Sequence, residues 1–297
     1  RARDARRGGG AERVPFGAMT EPTQQPDGRA SLPDTRTAAA AALFAGAAAL
    51  ALALGPVALT VFVFALAITA AGELYRIVRR GGGALVPLVG FAGIAALFAL
   101  AYDGAETLLG GAPAVAAAVA AVALVVFVLR GRIEGALPGV AATTGIALAV
   151  GVLGAFVVAL RRVDGGFRVT LAFALMVAIG DVTASLAGRR FARRPLAASI
   201  GPSKTWEGLA GGTVGVFAAA AIAGALAGGP VTMSRALVLG TLVAIAAPLG
   251  DLSTAMIMRD APRPRMDVFG RGGILDRIDA LLFAAPIFYF AYRAMVR

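Results

Sequence analysis

From Thr37 onward the sequence is a succession of apolar runs: 37–54, 56–74, 84–102, 112–129, 139–160, 169–188, 207–228, 235–258 and 275–296. Each is close to the roughly 20 residues that an α-helix needs to cross a bilayer. Hydrocarbon offers no water to satisfy backbone groups, so only helices and closed barrels span it. The short alternating segments of a barrel are absent from this sequence. The pattern predicts an all-α fold, a polytopic integral membrane helical bundle of about nine transmembrane helices. Composition agrees, with 59% hydrophobic and 15% charged residues, against about 45–50% and about 25% in soluble domains. Gly55-Pro56 splits the first long run, either as a hairpin or as a kink in one helix.

Three regions follow. Residues 1–36 are polar and rich in Arg, Gly, Pro and Gln, and are expected to form a disordered basic tail. They lack the pattern of a secretory signal, and Met19 is the expected start. Residues 37–168 hold the N-terminal and middle transmembrane helices. Residues 169–297 form the C-terminal transmembrane catalytic region.

The net charge of +11 resides mostly in the tail and in short connections. Loops with Arg76, Arg79 and Arg80, with Arg130 and Arg132, with Arg189 to Lys204, and with Arg259 to Arg271 alternate with acidic or neutral ones. With nine spans and the N-terminus inside, these basic loops face the cytoplasm under the positive-inside rule. The exception is 161–168, with Arg161, Arg162 and Arg168, which faces out. Charge of this kind fits anionic lipid headgroups and no nucleic acid. The expected location is the cell (plasma) membrane, with the site facing the cytoplasm and a homodimer as a possible assembly.

The chain has no Cys and no His, which excludes disulfides, thiol chemistry and imidazole bases or ligands. A metal would have to sit on carboxylates and phosphates, which suits Mg²⁺, with a second cation also allowed for. Asp181 and Asp251 lie eight residues before Arg189 and Arg259, inside apolar runs. At 1.5 Å per residue both sit about 12 Å from the same ends of their helices. Intramembrane acids are costly and by default functional, although a lone one also serves as an arginine partner that fixes packing. Gly180 and Gly250 precede them and permit close backbone approach or a local break. Asp276 and Asp279 share a helix face with Cβ atoms about 5–6 Å apart. Asp276 alone could cap its helix, but Asp279 lies one turn further in. A cation held by these four acids and by substrate phosphates accounts for all of them.

Gly201-Pro202-Ser203-Lys204-Thr205-Trp206-Glu207-Gly208 offers a turn, hydroxyls and the single lysine of the chain before an apolar run. It could cradle phosphate oxygens, or it could be an interfacial turn anchored by Trp206. It lacks the spacing of a Walker loop. Glu73, beside Tyr75 and Arg76, reads as an interfacial ion pair outside the site.

Three stretches together carry a family resemblance. Gly250-Asp251-Leu252, then Arg259, then Gly272-Gly273-Ile274-Leu275-Asp276-Arg277-Ile278-Asp279 resembles the C-terminal signature of the phosphatidate cytidylyltransferases, or CDP-diacylglycerol synthases. Lys204-Thr205-Trp206-Glu207-Gly208 resembles the lysine loop of that family, and Asp181 with Gly188-Arg189 resembles its aspartate helix. Thr254, Ala255, Met258 and Arg271 differ from the family pattern. The likeness covers about 170 to 290, with Glu73 to Arg76 as an earlier match. It implies transfer of CMP from CTP to phosphatidic acid with Mg²⁺, giving CDP-diacylglycerol and pyrophosphate. It further implies Asp181, Asp251, Asp276 and Asp279 as metal ligands. Asp251, Asp276, Asp279 and Lys204 become the catalytic groups, and Lys204, Thr205, Arg189, Arg259, Arg271 and Arg277 lie near substrate. Arg271 could contact phosphate but not act as a base near neutral pH. The alternatives are a catalytically degenerate paralogue that binds lipid or a partner, and a solute transporter. The transporter fits less well, because all four acids lie toward one face rather than at the midplane.

Overall fold

The computed structural model describes residues 35–191, 193–226, 231–260 and 273–296. Among them are nine α-helices: α1 (Thr35–Leu54), α2 (Pro56–Arg80), α3 (Pro87–Asp103), α4 (Ala105–Leu129), α5 (Ala136–Arg162), α6 (Gly166–Phe191), α7 (Trp206–Leu226), α8 (Met233–Asp260) and α9 (Leu275–Val296). Seven are long and apolar enough to cross a membrane. The apolar segment 41–54 of α1 and all of α3, 17 residues, are shorter. The chain is a polytopic helical membrane protein. The expected tail falls almost wholly outside the described residues.

Gly55 resolves the first ambiguity. Its φ of 120° is a conformation that residues with a Cβ rarely adopt, and Pro56 starts α2 at the position where a missing N–H costs nothing. Phe44 and Phe62 then meet with ring centroids 5.9 Å apart. Eighteen residues along one helix would separate them by about 27 Å, so α1 and α2 form a hairpin.

α5 is the central helix, packed against α2, α3, α4 and α9. Its Thr143 is fully buried and ties three elements together. The Thr143 hydroxyl accepts from Val86 N–H at 3.2 Å and donates to the Gly139 carbonyl at 2.7 Å. The Thr143 carbonyl accepts from the Tyr75 hydroxyl of α2 at 2.9 Å. Tyr75→Phe should lower stability by about 1 kcal/mol. That appears as a melting-temperature drop of about 2 °C in detergent, followed by circular dichroism.

α6 and α7 are the most closely packed pair. Small residues permit this: a Cβ on Gly212 would lie 2.9 Å from Ala184 Cβ, and one on Gly180 2.6 Å from a Val216 methyl. Close approach through small residues is the usual means of association in lipid.

The connection between α6 and α7 is not the plain loop expected. It contains an antiparallel hairpin, β1 (Pro195–Ala197) with β2 (Gly201–Thr205), in the register Pro195↔Thr205 and Ala197↔Gly201. Ile200 N–H closes the turn on the Ala197 carbonyl at 3.1 Å.

At the opposite end of the bundle, Arg162 stacks 4.6 Å over the Tyr102 ring, and Arg293 approaches Glu106 at 3.8 Å. The Tyr292 hydroxyl reaches the Asp164 carbonyl at 3.4 Å. An aromatic face thus meets Arg162, one of the arginines that the loop-charge pattern left at the expected outer end.

Candidate active site

Three helices and the hairpin bring the predicted groups to one end of the bundle. α6 carries Asp181, α8 carries Asp251, and the first two turns of α9 carry Asp276 and Asp279. Both α6 and α8 run unbroken past their aspartates, so the preceding glycines serve close approach rather than a break. A Cβ on Gly250 would stand 2.7 Å from the Asp279 carbonyl oxygen and 2.9 Å from Phe283 Cβ. α8 can therefore lie against α9 at the level of Asp279 only while position 250 has no side chain.

Asp181 and Asp251 line one open cleft between α6, α7 and α8. Its walls include Val177, Ala184, Leu209, Val216 and Ala244, so the acids, Asp181 exposed and Asp251 half-buried, border a largely apolar cleft. Pro248, also in the wall, removes the N–H that would bond the Ala244 carbonyl.

β2 carries Lys204 over this cleft, where its ammonium is hydrogen-bonded and ion-paired to Asp251 Oδ2. The side chains are 43% and 21% exposed, so the pair is open to a ligand. Burial pushes the Lys204 pKa down. The charge and hydrogen bond of Asp251, with the charges of Asp279 and Asp181, outweigh that and leave it raised above its ordinary value of 10.5. The lysine is a fixed cation at neutral pH. Asp279 is 6% exposed and accepts from Ala280 N–H at 2.9 Å. Asp276 is exposed and acts electrostatically on Asp279.

The expected phosphate contacts divide. Thr205 Oγ1 accepts from Gly208 N–H at 3.0 Å, which makes Thr205 the cap of α7. Its hydroxyl proton remains able to donate. Arg259 donates to the Ser199 carbonyl and so fastens the hairpin to the last turn of α8. Arg189 is exposed in the last turn of α6, beside the hairpin, and Arg277 is half-buried in the first turn of α9. Arg271, with most of the connection between α8 and α9, lies outside the described residues.

Among the described residues, no three acids gather into a ready-made metal centre. The donor set is nonetheless all carboxylate, and one acid is already engaged by Lys204. That chemistry fits Mg²⁺ held by one or two carboxylates together with substrate phosphates, the usual manner for this ion. It does not fit an all-protein cage.

Glu73 departs from expectation. It is not an interfacial ion pair but is 4% exposed, and its carboxylate accepts from the N–H groups of Ile274 at 2.8 Å and Leu275 at 3.1 Å. These are the amides at the start of α9. The available signal was the sequence before Asp276, Gly-Gly-Ile-Leu, which supplies no Ser, Thr, Asn or Asp to cap the helix.

Comparison with known proteins gives the family. The model of the cytidylyltransferase family matches residues 34–295. The chain is 37% identical over 121 residues to the phosphatidate cytidylyltransferase of Aquifex aeolicus (strain VF5), covering 40% of this chain and 45% of that one. It is 32% identical over 148 residues to the phosphatidate cytidylyltransferase of Bacillus subtilis (strain 168), covering 48% and 55%. With the uncharacterized protein YnbB of Escherichia coli (strain K12) it shares 34% identity over 134 residues, covering 44% and 45%. The chain thus spans about half the length of each of these curated relatives.

Proposed function

Because the chain belongs to the cytidylyltransferase family, we propose that it transfers CMP from CTP to phosphatidic acid within the membrane. The products are CDP-diacylglycerol and pyrophosphate. The observation that carries this reading is the half-buried Lys204–Asp251 pair at an apolar cleft that Asp181 also lines. A phosphorylated lipid needs a cationic donor for its headgroup and an apolar path for its tails, and this site offers both.

In the reaction, an oxygen of the lipid phosphate forms a bond to the α-phosphorus of CTP. The bond from that phosphorus to the oxygen bridging the β-phosphorus breaks, and pyrophosphate departs with the electron pair. Such transfers depend on positioning and on charge neutralisation more than on covalent help from the protein. Lys204 donates to phosphate oxygens, and Asp251 aims the ammonium. Arg189 and Arg277 add positive charge at the mouth, and Arg259 keeps the hairpin on α8. One or two of Asp181, Asp251, Asp276 and Asp279 would hold Mg²⁺ together with substrate phosphates, and the ion when bound would neutralise phosphate charge. Arg79, Arg80, Arg189, Arg190, Arg193 and Arg194 all lie at this end of the bundle. By the positive-inside rule it faces the cytoplasm, where CTP is found, with the cell (plasma) membrane as the setting.

The test is direct. Purified protein in mixed micelles with labelled CTP, phosphatidic acid and Mg²⁺ should release CDP-diacylglycerol and pyrophosphate in equal amounts, and chelation should stop it. Absence of product, while the Bacillus subtilis relative makes it in parallel, would overturn the reading.

A further inference from the structure

One buried acid has no part in the site described above. Glu73 lies seven residues before the end of α2 and is 4% exposed. A carboxylate so placed must be met by donors, and here the donors are two peptide groups. Ile274 N–H reaches Oε1 at 2.8 Å and Leu275 N–H reaches Oε2 at 3.1 Å. Each oxygen takes one amide, so the carboxylate spans the start of α9. The amides at a helix start lack intrahelical acceptors, and the partial positive charge there favours an anion. Gly273 supplies the remaining condition, because a Cβ at that position would run into the Glu73 carboxylate. The glycine before Ile274 is therefore the space in which Glu73 sits.

Asp276 follows Leu275 directly, and Asp279 lies one turn further on. Apolar contacts of Ile278, Leu282 and Phe288 hold α9 in the core, but such contacts are non-directional. The pair of bonds to Glu73 is directional. It fixes both the rotation of the first turn about the helix axis and its depth.

We infer that Glu73 is a positioning residue that clamps the first turn of α9 and so holds Asp276 and Asp279 beside the Lys204–Asp251 pair. The effect on catalysis rests on the CMP-transfer reading, whereas the clamp does not.

The experiment compares wild type, Glu73→Gln, Glu73→Leu and Gly273→Ala as full chains in detergent micelles. It measures hydrogen–deuterium exchange together with steady-state kinetics. Glutamine keeps one acceptor oxygen and loses the charge, and leucine removes both. Exchange over 273–282 should quicken about 10-fold in Glu73→Leu and less in Glu73→Gln, while 136–162 of α5 keeps its wild-type protection. In the same variants kcat should fall about 10- to 100-fold, as with other residues that orient ligating groups, with KM for CTP changed less than about 3-fold. Unchanged exchange over 273–282 overturns the clamp. Faster exchange with unchanged kcat overturns the positioning role. Should Glu73→Leu loosen every helix alike, Gly273→Ala decides, since α2 is intact in it. Selective loosening of 273–282 with reduced kcat then carries the inference, and wild-type values overturn it. A wild type that transfers no CMP defeats the activity reading alone, and the exchange comparison still decides for or against the clamp.

Discussion

Asp251→Asn should reduce kcat/KM for CMP transfer by at least about 10²-fold, the scale seen when one preorganised electrostatic partner is removed. The substitution keeps the shape of the side chain, so it tests charge rather than packing. In the wild-type site Asp251 holds the Lys204 ammonium over the cleft and faces the same space as Asp181. Asparagine can accept a hydrogen bond from the lysine, but it supplies no charge and is a poor ligand for a hard cation. Lys204→Met should cause a comparable loss. If the two groups act as one unit, the double variant should be hardly worse than either single one. Additive losses would show that the pair is incidental. Stability gives a separate check. The Lys204 pKa is raised on folding, so the stabilisation linked to it is fully present below its ordinary value of 10.5. It is lost as the pH climbs through the higher folded value. Between pH 6 and pH 9 the melting temperature should therefore show no slope from this group, and a slope that Lys204→Met abolished would contradict the assignment.

Gly250→Ala should be a damaging single-methyl change at the contact of α8 with α9. The new Cβ would stand 2.7 Å from the Asp279 carbonyl oxygen and 2.9 Å from Phe283 Cβ. Neither is the free end of a flexible side chain, so α8 and α9 must move apart. Overpacking of this kind costs about 1–3 kcal/mol, seen as a drop of several degrees in the melting temperature. The larger effect falls on activity, because the helices that separate are the ones carrying Asp251 and Asp279. A displacement of about 1 Å at reacting groups can cost about 10²-fold in rate. Melting and CMP-transfer assays on the same sample distinguish the two losses. Full activity in a destabilised Gly250→Ala protein would mean that the α8–α9 distance does not matter to the chemistry.

The helices, and the acids that interrupt them, were legible because each is a local statement. An apolar run of the right length must span, and a carboxylate inside it requires a reason. Gly180 and Gly250 were readable as points either of close approach or of a break, and the unbroken helices decide for the first. What could not be read depends on partners far away in sequence. Glu73 looked like an interfacial acid because Arg76 is its neighbour in the chain, whereas its actual partners are amides 201 and 202 residues on. Arg259 was read only as a phosphate contact, and its hydrogen bond to the Ser199 carbonyl, 60 residues back in the chain, was not readable. The β1–β2 hairpin was hidden for another reason. Two strands of three and five residues in a polar connection carry too little alternation to distinguish from a loop.

The contact between Glu73 and the start of α9 also bears on biosynthesis. α2 leaves the ribosome well before α9, with six of the described helices made between them. Throughout the synthesis of the intervening chain, the Glu73 carboxylate has no amides to receive it. It must stay hydrated near the membrane surface, because an uncompensated acid does not settle into hydrocarbon. α2 therefore reaches its final seat only when α9 inserts. The reactive end is thus assembled only once α9 has joined the helices made before it.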